Sequence, residues 1–346
     1  MDYRGLGKTN LKVSEIGYGT WQLTNGRLWV GATDTESLKC LNLFVEKGGN
    51  FIDTAWVYGW LSDNPDRHPA EELIGRFLKE SGKKGQVIIA SKVPPKNMLW
   101  PARIGIPIED VFPAKYIEQR VNESLKHLGV ETVDLMQFHV WQDFFAEDDS
   151  WKDAIKKITK AGKVKHWGIS VNDYQPTNCF KAIDSGLIST IQFIFNIFHQ
   201  KPIEKLFPYA KEKNIGLIAR VPLDEGGLSG KFTEDMEFVE GDFRSRYFTK
   251  ARLRKLVKRT TGLKNLLDGE AKSMPELDLR YILSFDQVST VIPGMRRREH
   301  VKANTEVSDG RKLSKGILDV LKRHAWERNF YPSVDPSMKD TGYLEV

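Results

Sequence analysis

The chain has 346 residues and a formal net charge of +6, with 40% hydrophobic and 28% charged residues. This composition is typical of a globular protein, and no apolar run approaches the roughly 20 residues needed to span a bilayer. The modest positive charge does not by itself indicate nucleic-acid binding, which needs a concentrated basic face.

The amino-terminal segment and the cysteines bear on the compartment. Residues 1–7 contain no apolar core of the kind found in a secretion signal. Cys40 and Cys179 lie far apart without metal-type spacing, so both are expected to be reduced thiols. We therefore expect a cytoplasmic protein that needs no metal ion; the sequence leaves its oligomeric state open.

Short apolar runs alternate with amphipathic segments along most of the chain, a pattern that predicts parallel strands connected by helices. The predicted strands are residues 15–19, 50–55, 87–93, 134–139, 164–170, 190–196, 215–221 and 288–294. The clearest predicted helices are residues 34–47, 70–81, 114–128 and 150–161.

Eight strand–helix units favour a closed (β/α)8 barrel over an open sheet. Residues 3–14 are predicted to form a separate hairpin that closes the bottom of this barrel. No linker rich in Gly, Ser or Pro divides the chain, so we predict a single domain over residues 1–346. Longer irregular segments at 58–69, 141–149 and 223–249 are expected to extend over the carboxyl-terminal face.

Ionisable side chains follow three of the apolar runs. Asp53 and Tyr58 follow the second predicted strand, Lys92 lies at the end of the third, and His139 ends the fourth. The carboxyl ends of barrel strands are where barrel enzymes carry their catalytic residues. Any one of these residues alone is more often structural, but four in register predict an active site.

These residue types together can deliver a proton. A phenol has a pKa near 10, and a neighbouring ammonium lowers that pKa by favouring the phenolate. Tyr58 is therefore predicted to be a general acid tuned by a Lys92–Asp53 pair, with His139 orienting a carbonyl group. With a hydride donor, such a device would reduce a carbonyl to an alcohol. A lyase or isomerase that uses Lys92 in a Schiff base is the weaker alternative.

At these positions the chain resembles the aldo-keto reductase family. The similar segments are residues 48–55 with 58–59, residues 91–93 and residues 134–139, in the family's order. The resemblance implies a (β/α)8 barrel that binds NADPH without a Rossmann glycine motif. It also implies the four catalytic roles just given, and direct hydride transfer from the nicotinamide to the carbonyl carbon.

The resemblance further implies a set of cofactor-binding residues. Ser170, Asn172 and Gln192 correspond to ligands of the nicotinamide carboxamide, although Ser170 and Asn172 could instead cap a helix. Arg220 stands where the family usually has an aromatic residue stacked on the nicotinamide, and its planar guanidinium could stack there. The other expected cofactor residues are Thr20, Trp21, Val221, Pro222, Leu223, Gly230, Lys231, Arg244, Pro293, Gly294, Arg296, His300 and Asn304.

Basic residues near the expected adenosine end favour NADPH over NADH. Arg296 is expected to bind the 2′-phosphate, with Arg297 and His300 as helpers, because a guanidinium pairs well with a phosphate. A surface turn of three arginines is the alternative. A second basic segment, residues 244–259, holds eight Lys or Arg and no acidic residue. It is either a solvated helix face or a phosphate-facing lid followed by a basic helix.

The substrate is indicated only by its class. Trp21, Trp56 and Trp141 fall near the expected carboxyl-terminal face and would suit an apolar or aromatic aldehyde or ketone, although each could instead pack a loop onto the barrel. The alternative function is a cofactor-binding sensor or regulatory subunit with negligible turnover, similar to the channel β-subunits of this family.

Overall fold

A computed structural model describes residues 1–26, 28–61, 63–267, 269–326 and 328. Its strands are β1 Tyr3–Gly5, β2 Lys12–Ser14, β3 Tyr18–Gly19, β4 Phe51–Asp53, β5 Ile88–Val93, β6 Val133–Phe138, β7 Val164–Ser170, β8 Thr190–Ile194, β9 Gly216–Arg220 and β10 Val288–Val291. Its helices are α1 Asp34–Glu46, α2 Pro69–Ser81, α3 Ile108–Val111, α4 Ala114–Leu128, α5 Ser150–Lys160, α6 Phe180–Asp184, α7 Leu206–Glu212, α8 Arg244–Tyr247, α9 Lys250–Lys264, α10 Met274–Leu283, α11 Arg298–Thr305 and α12 Lys315–Leu321.

Strands β3 to β10 form one parallel sheet in chain order. The two outer strands of this sheet meet through parallel bridges between Ile16 and Val291 and between Gly19 and Gly294. The backbone N–H of Gly17 donates to the carbonyl of Val291 across this seam at 2.8 Å. The sheet therefore closes on itself, and the predicted (β/α)8 barrel is confirmed.

The barrel strands are mostly shorter than their apolar runs. The run at 50–55 contributes only Phe51–Asp53, and the run at 288–294 contributes only Val288–Val291. The apolar runs continue past the last ladder hydrogen bond because the residues that follow are also buried in the loops above the barrel. The outcome is that Tyr58 and His139 lie just beyond strand ends.

The helices pack on the outside of the sheet through one apolar face each. Helix α4 buries Ile117, Val121 and Leu128, whose spacing repeats along one side of a helix. It ends at Gly129, which adopts a φ of +64° and donates its N–H to carbonyls of the last turn. These bounds match the predicted helix at 114–128. Among the described residues, no helix is both long and apolar enough to cross a bilayer.

The amino-terminal hairpin of β1 and β2 plugs the lower end of the barrel, as predicted. Its strands pair antiparallel, with Arg4 opposite Val13. Leu6 and Val13 are fully buried and belong to one apolar cluster with Phe51, Ala90, Leu135, Ile218 and Ile292 from the barrel strands. This cluster fills the interior beneath the carboxyl-terminal mouth.

The residues that matter for chemistry lie one layer above this apolar plug. Successive inward-facing side chains on a strand are two positions apart. Phe51 is followed inward by Asp53, Ala90 by Lys92, Leu135 by Gln137 and Ile218 by Arg220. On β8 the buried Thr190 is followed by Gln192. The barrel interior thus changes from apolar to polar within one step along β4, β5, β6 and β9.

The packing of α2 against α4 depends on Gly75. A Cβ at this position would lie 2.4 Å from the carbonyl oxygen of His127. We expect Gly75→Ala to lower the free energy of unfolding by about 1–3 kcal/mol, the cost of an overpacked contact. Gly316→Ala is the matched control, because Gly316 is also helical and has nothing within 4 Å of the added Cβ. Chemical denaturation measures both; equal midpoints for Gly75→Ala and wild type would contradict the expectation.

Candidate active site

The site is built around a buried ion pair between two strand ends. Lys92 is the penultimate residue of β5, and its Nζ donates to Oδ1 of Asp53, the last residue of β4, at 2.5 Å. The same Nζ donates to the carbonyl of Thr54 at 2.8 Å and to Oη of Tyr58 at 3.3 Å. An ammonium has three hydrogens, so these contacts use all of its donors.

The second carboxylate oxygen of Asp53 is held by two amides. Gln192 Nε2 donates to Oδ2 at 2.7 Å, and Gln137 Nε2 donates to the same oxygen at 3.2 Å. The sequence predicts Gln192 as a ligand of the nicotinamide carboxamide. In the structure its amide nitrogen donates to Asp53, and its role toward a carboxamide stays a prediction.

Tyr58 lies at the mouth of the barrel, partly exposed, with Lys92 below it. Burial raises the pKa of Tyr58, and the nearby Lys92 charge lowers it by less. The prediction that Lys92 brings this pKa below its ordinary value is therefore corrected: desolvation outweighs the ammonium. The consequence is that the phenol keeps its proton at neutral pH.

His139 faces Tyr58 across the mouth, with ring centroids 5.6 Å apart. Burial, the Lys92 charge and the Arg220 charge together hold the pKa of His139 well below its ordinary value. The imidazole is therefore neutral at pH 7. Its Nδ1 is buried and has no hydrogen-bond partner within the part of the chain that the structure describes. A neutral, unpartnered ring nitrogen suits the orientation of a polar ligand atom.

Trp21 is the one tryptophan of the predicted pocket that the structure brings to Tyr58. Its ring centroid lies 6.4 Å from that of Tyr58 and 5.2 Å from those of both Trp29 and Phe243. Trp100 approaches His139 from another side at 5.8 Å. These aromatic rings form an apolar wall around the phenol.

Trp141 does not belong to that wall. Its side chain is fully buried beneath the mouth, with ring centroids 5.2–5.4 Å from those of Phe138, Phe145 and Trp151. The packing favours the alternative that Trp141 packs a loop onto the barrel, because its side chain is fully buried.

Trp56 is buried and contacts the helix layer, so its packing favours the alternative that it holds a loop onto the barrel. Its Nε1 donates to Glu123 at 2.8 Å, and the guanidinium of Arg120 lies 4.5 Å above its ring. The carbonyl of Trp56 accepts a hydrogen bond from Nδ1 of His68 at 2.9 Å. These contacts anchor the segment that leads to Tyr58.

Two of the predicted nicotinamide ligands end or follow β7. Ser170 is buried at the end of the strand, next to Gln192 in the sheet register. Asn172 uses its side chain to hold a neighbouring loop: Oδ1 accepts from the N–H of Ala102 at 3.1 Å, and Nδ2 donates to the carbonyl of Ala102 at 3.2 Å. Asn172 therefore holds this loop in place, and its predicted contact with the nicotinamide stays a prediction.

Arg220 lies at the end of β9 and is half-buried. Its Nη2 donates to Asp173 at 2.6 Å and to the carbonyl of Val171 at 3.1 Å. The ion pair fixes the guanidinium beside the mouth, where its charge is felt by both Tyr58 and His139. Asp173 is a partner that the sequence gave no reason to select.

The segment after β9 has an unusual backbone. Val221, Asp224 and Glu225 all have φ between +50° and +56°, a region that costs energy for residues other than glycine. The carbonyl of Val221 is held by Asn196 Nδ2 at 2.9 Å, and the buried carboxylate of Asp224 pairs with the buried Arg328. A strained backbone of this kind persists only where surrounding contacts stabilise it. The contacts of Asn196 and Arg328 therefore fix the conformation of this segment. It holds the predicted cofactor residues Pro222, Leu223 and Gly230.

Basic side chains gather at the other end of the mouth. Arg244 donates to both oxygens of Asp242, through Nε at 2.9 Å and Nη2 at 2.5 Å. Burial lowers the pKa of Arg296, and the charges of Arg244 and Asp242 also act on it. Burial lowers the pKa of His300 too, with smaller contributions from Lys231 and Arg296, so this imidazole is neutral at pH 7. The three cations Arg244, Arg296 and Lys231, with the His300 ring beside them, are a donor set that suits a phosphate group.

Four further residues that the sequence predicts as cofactor contacts are described by the structure. Gly294 closes the seam opposite Gly19, next to buried Pro293, and a Cβ there would meet the Gln22 side chain at 3.1 Å. Thr20 is fully buried, and its Oγ1 has no partner among the described residues. Asn304 is buried on α11, the helix that also carries His300. An unpartnered hydroxyl and a set of cations are groups that suit a nicotinamide dinucleotide.

Sequence reasoning missed several residues that the structure brings to the site: Trp29, Trp100, Gln137, Asp173 and Asp242. Gln137 alone carried a usable signal. It is a polar residue at an inward-facing position of an otherwise apolar strand, two residues before His139. The others lie in loops, where no period indicates which way a side chain points.

The basic segment 244–259 holds side chains in different surroundings. The charge of Arg244 acts on Arg296, whereas the guanidinium of Arg259 lies over the ring of Trp326 at 4.5 Å. On α9, Lys250, Arg254 and Lys258 are exposed, as on a solvated helix face. A phosphate-facing role for Arg244 stays a prediction.

One buried carboxyl beneath the mouth predicts a pH dependence. Asp278 on α10 is fully buried and accepts the N–H of Ile197 at 2.8 Å. Burial, with a smaller contribution from Asp224, raises its pKa well above the ordinary value. The folded chain therefore holds this proton more tightly than the unfolded chain, and the stability it contributes is lost as the pH rises from about 4 through the folded-state pKa.

We expect Asp278→Asn to remove that loss, because asparagine does not titrate. The variant should gain stability relative to wild type as the pH is raised from 5 to 8, measured by urea denaturation at each pH. Asp286→Asn is the control, since Asp286 is exposed and its pKa is lowered by Lys312. A difference between Asp278→Asn and wild type that stays constant with pH would contradict the expectation.

The sequence model of the Aldo/keto reductase family matches residues 15–324. The chain belongs to the aldo/keto reductase family. Membership implies NAD(P)H-dependent reduction of carbonyl compounds. The barrel that carries the Lys92–Asp53 pair is therefore the barrel of an aldo/keto reductase.

Individual relatives cover nearly the whole chain. Aldo-keto reductase YhdN of Bacillus subtilis is 29% identical over 314 residues, covering 89% of each chain. A probable voltage-gated potassium channel subunit beta of Arabidopsis thaliana is 27% identical and covers 89% of this chain and 92% of its own. Among solved structures, the glycerol dehydrogenase AKR11B4 from Gluconobacter oxydans superposes with a TM-score of 0.74 at 26% identity, covering 96% of this aldo/keto reductase and 98% of its own chain.

Proposed function

We propose that this aldo/keto reductase uses NADPH to reduce an aldehyde or ketone, with Tyr58 as the general acid. The observation that carries the proposal is the contact of one ammonium, that of Lys92, with both the Asp53 carboxylate and the Tyr58 phenol. An ammonium can only donate, so the phenol oxygen accepts from Lys92 and its own hydrogen is free to be donated. The phenol hydrogen is then available to a carbonyl oxygen in the mouth.

A bound reduced nicotinamide would supply the hydride. The side chains of the protein would donate the proton, stabilise the charge that develops and orient the carbonyl group. Tyr58 donates its proton to the carbonyl oxygen, and the positive charge of Lys92 stabilises the phenolate that remains. Neutral His139 holds the carbonyl oxygen through a ring nitrogen, and the aromatic wall with Trp21 excludes water from the reacting group. This wall also supports an apolar or aromatic substrate.

We expect Tyr58→Phe to lower kcat for NADPH-dependent aldehyde reduction at least a hundredfold, because general acid catalysis contributes about 10²–10⁴ in rate. The affinity for NADPH should stay within about twofold, since the hydroxyl is not among the expected cofactor contacts. Tyr116→Phe on α4 is the control for removing a phenol oxygen away from the mouth. Loss of NADPH absorbance follows turnover, and intrinsic fluorescence quenching follows binding. Equal turnover in Tyr58→Phe and wild type would contradict the role of Tyr58 as the general acid.

The cations around Arg296 support NADPH over NADH. The charge of Arg244 acts on Arg296, which is half-buried, and the charges of Lys231 and Arg296 act on His300. A 2′-phosphate would accept charged hydrogen bonds there, and its absence in NADH would leave neighbouring positive charges without a counter-charge.

We expect Arg296→Ala to weaken NADPH binding about ten- to a hundredfold and to leave NADH binding unchanged, because a hydrogen bond to a charged group contributes about 1.5–3 kcal/mol. Arg298→Ala is the matched control, since Arg298 pairs with Glu36 on the outer surface. Fluorescence titration with each cofactor gives both dissociation constants. A parallel loss for both cofactors would assign Arg296 to a part of the cofactor that NADH shares.

The hydrogen bonds of Lys92 support an enzyme more than they support a regulatory subunit with negligible turnover. A sensor with negligible turnover has no need for a general acid held by an ion pair, and here every donor of Lys92 is engaged in that arrangement. The same contacts weigh against a Schiff base, since a nucleophilic lysine must be deprotonated and free.

A further inference from the structure

We propose that Gln137 is a positioning residue of the reductase site: together with Gln192 it clamps the second carboxylate oxygen of Asp53 and thereby fixes the Lys92 ammonium against Tyr58. The proposal rests on the proposed function for its catalytic meaning. Gln137 does not touch the phenol, so its effect passes through Asp53 and Lys92.

The clamp is a connected set of hydrogen bonds from alternate strands. Asp53 comes from β4, Gln137 from β6 and Gln192 from β8, which are the strands that share a side-chain layer in a barrel of this type. Gln137 Nε2 lies 3.2 Å from Asp53 Oδ2, Gln192 Nε2 lies 2.7 Å from the same oxygen, and Gln192 Nε2 also lies 3.4 Å from Gln137 Oε1.

The chemistry of these groups allows one arrangement. The carboxylate of Asp53 only accepts, so both amides must present nitrogen to it. The oxygen of Gln137 then faces the remaining hydrogen of the Gln192 amide. Each amide fixes the other, and both are fully buried, so the carboxylate has a single orientation.

A carboxylate in this position needs such partners. Asp53 is 1% exposed and Lys92 is 0% exposed, and a buried ion pair is favourable only where further hydrogen bonds satisfy its remaining lone pairs. Lys92 satisfies Oδ1, and the two amides satisfy Oδ2. Without Gln137, Oδ2 keeps only the hydrogen bond from Gln192, so the carboxylate and the Lys92 ammonium paired with it are fixed less firmly against the phenol.

The strand between them leaves space for the clamp. Gly168 on β7 lies between β6 and β8, and a Cβ at this position would lie 3.2 Å from Cγ of Gln137 and 2.1 Å from Oγ1 of Thr190. A side chain here would push Gln137 away from Asp53. The absence of a side chain at Gly168 therefore leaves the space that Gln137 occupies beside Asp53.

The first arm of the test measures turnover. Gln137→Leu should lower kcat about tenfold or more, the loss expected for one hydrogen bond to a charged group, with the affinity for NADPH unchanged. Gln137→Glu should be active at low pH, where the protonated side chain donates to Asp53, and should lose activity as the pH rises and two carboxylates repel each other. Met136→Leu, on the same strand but in the outer core cluster, should leave the pH profile unchanged. A kcat of Gln137→Leu within twofold of wild type, or a profile of Gln137→Glu parallel to that of wild type, would overturn the proposal.

The second arm does not depend on turnover. Unfolding by urea between pH 5 and 8 should show that Gln137→Glu loses stability with rising pH, because the shared proton is held more tightly in the folded state. Adding Asp53→Asn should abolish that loss, since the amide of residue 53 can donate to the new carboxylate. Failure of this rescue would overturn the clamp. A wild type without turnover would overturn the proposed function, while this arm still decides whether Gln137 holds Asp53.

Discussion

The structure depends on one buried charge pair. Lys92 and Asp53 lie at the top of a barrel whose interior is apolar up to the layer beneath them. Two ions in such a place are stable only if their geometry is good and every remaining hydrogen-bonding position is filled. The backbone of Thr54, the phenol of Tyr58 and two glutamine amides fill those positions. Because the Tyr58 phenol fills one of these positions, the hydrogen bonds that the ion pair requires also fix the position of the proposed general acid.

The site has two parts, a floor and a cover. The floor is the layer of side chains at the strand ends, whose positions are fixed by the sheet register. The cover comes from loops that are held by ion pairs at their edges: Asp173 with Arg220, Asp224 with Arg328, and Asp242 with Arg244. Each pair joins an acidic residue to a cation close to the expected cofactor. Charges in the cover are thus largely neutralised among themselves, except at the cluster around Arg296.

The sequence predicted the barrel and the four mouth residues because both follow from local periods. Apolar runs that end on Asp53, Lys92 and His139 can be recognised without knowing which strand neighbours which. Gln137 and Gln192 acquire their roles only through a common partner on a third strand, and no local pattern encodes that. For a related reason the sequence leaves open whether Trp56 and Trp141 line the pocket or pack a loop. A tryptophan in a loop can face either the mouth or the helix layer, and no local period shows that Trp56 meets Glu123 or that Trp141 meets Trp151.

The seam between Gly19 and Gly294 joins the first barrel strand to the last. During synthesis the first barrel strand therefore has only one neighbouring strand until the last barrel strand, Val288–Val291, has left the ribosome. Strand β3 is only two residues long, Tyr18–Gly19, so the unpaired edge it presents in that interval is small. A short first strand reduces the chance that an incomplete barrel adds a strand from another chain. The geometry that closes the barrel thus also protects it while it is being made.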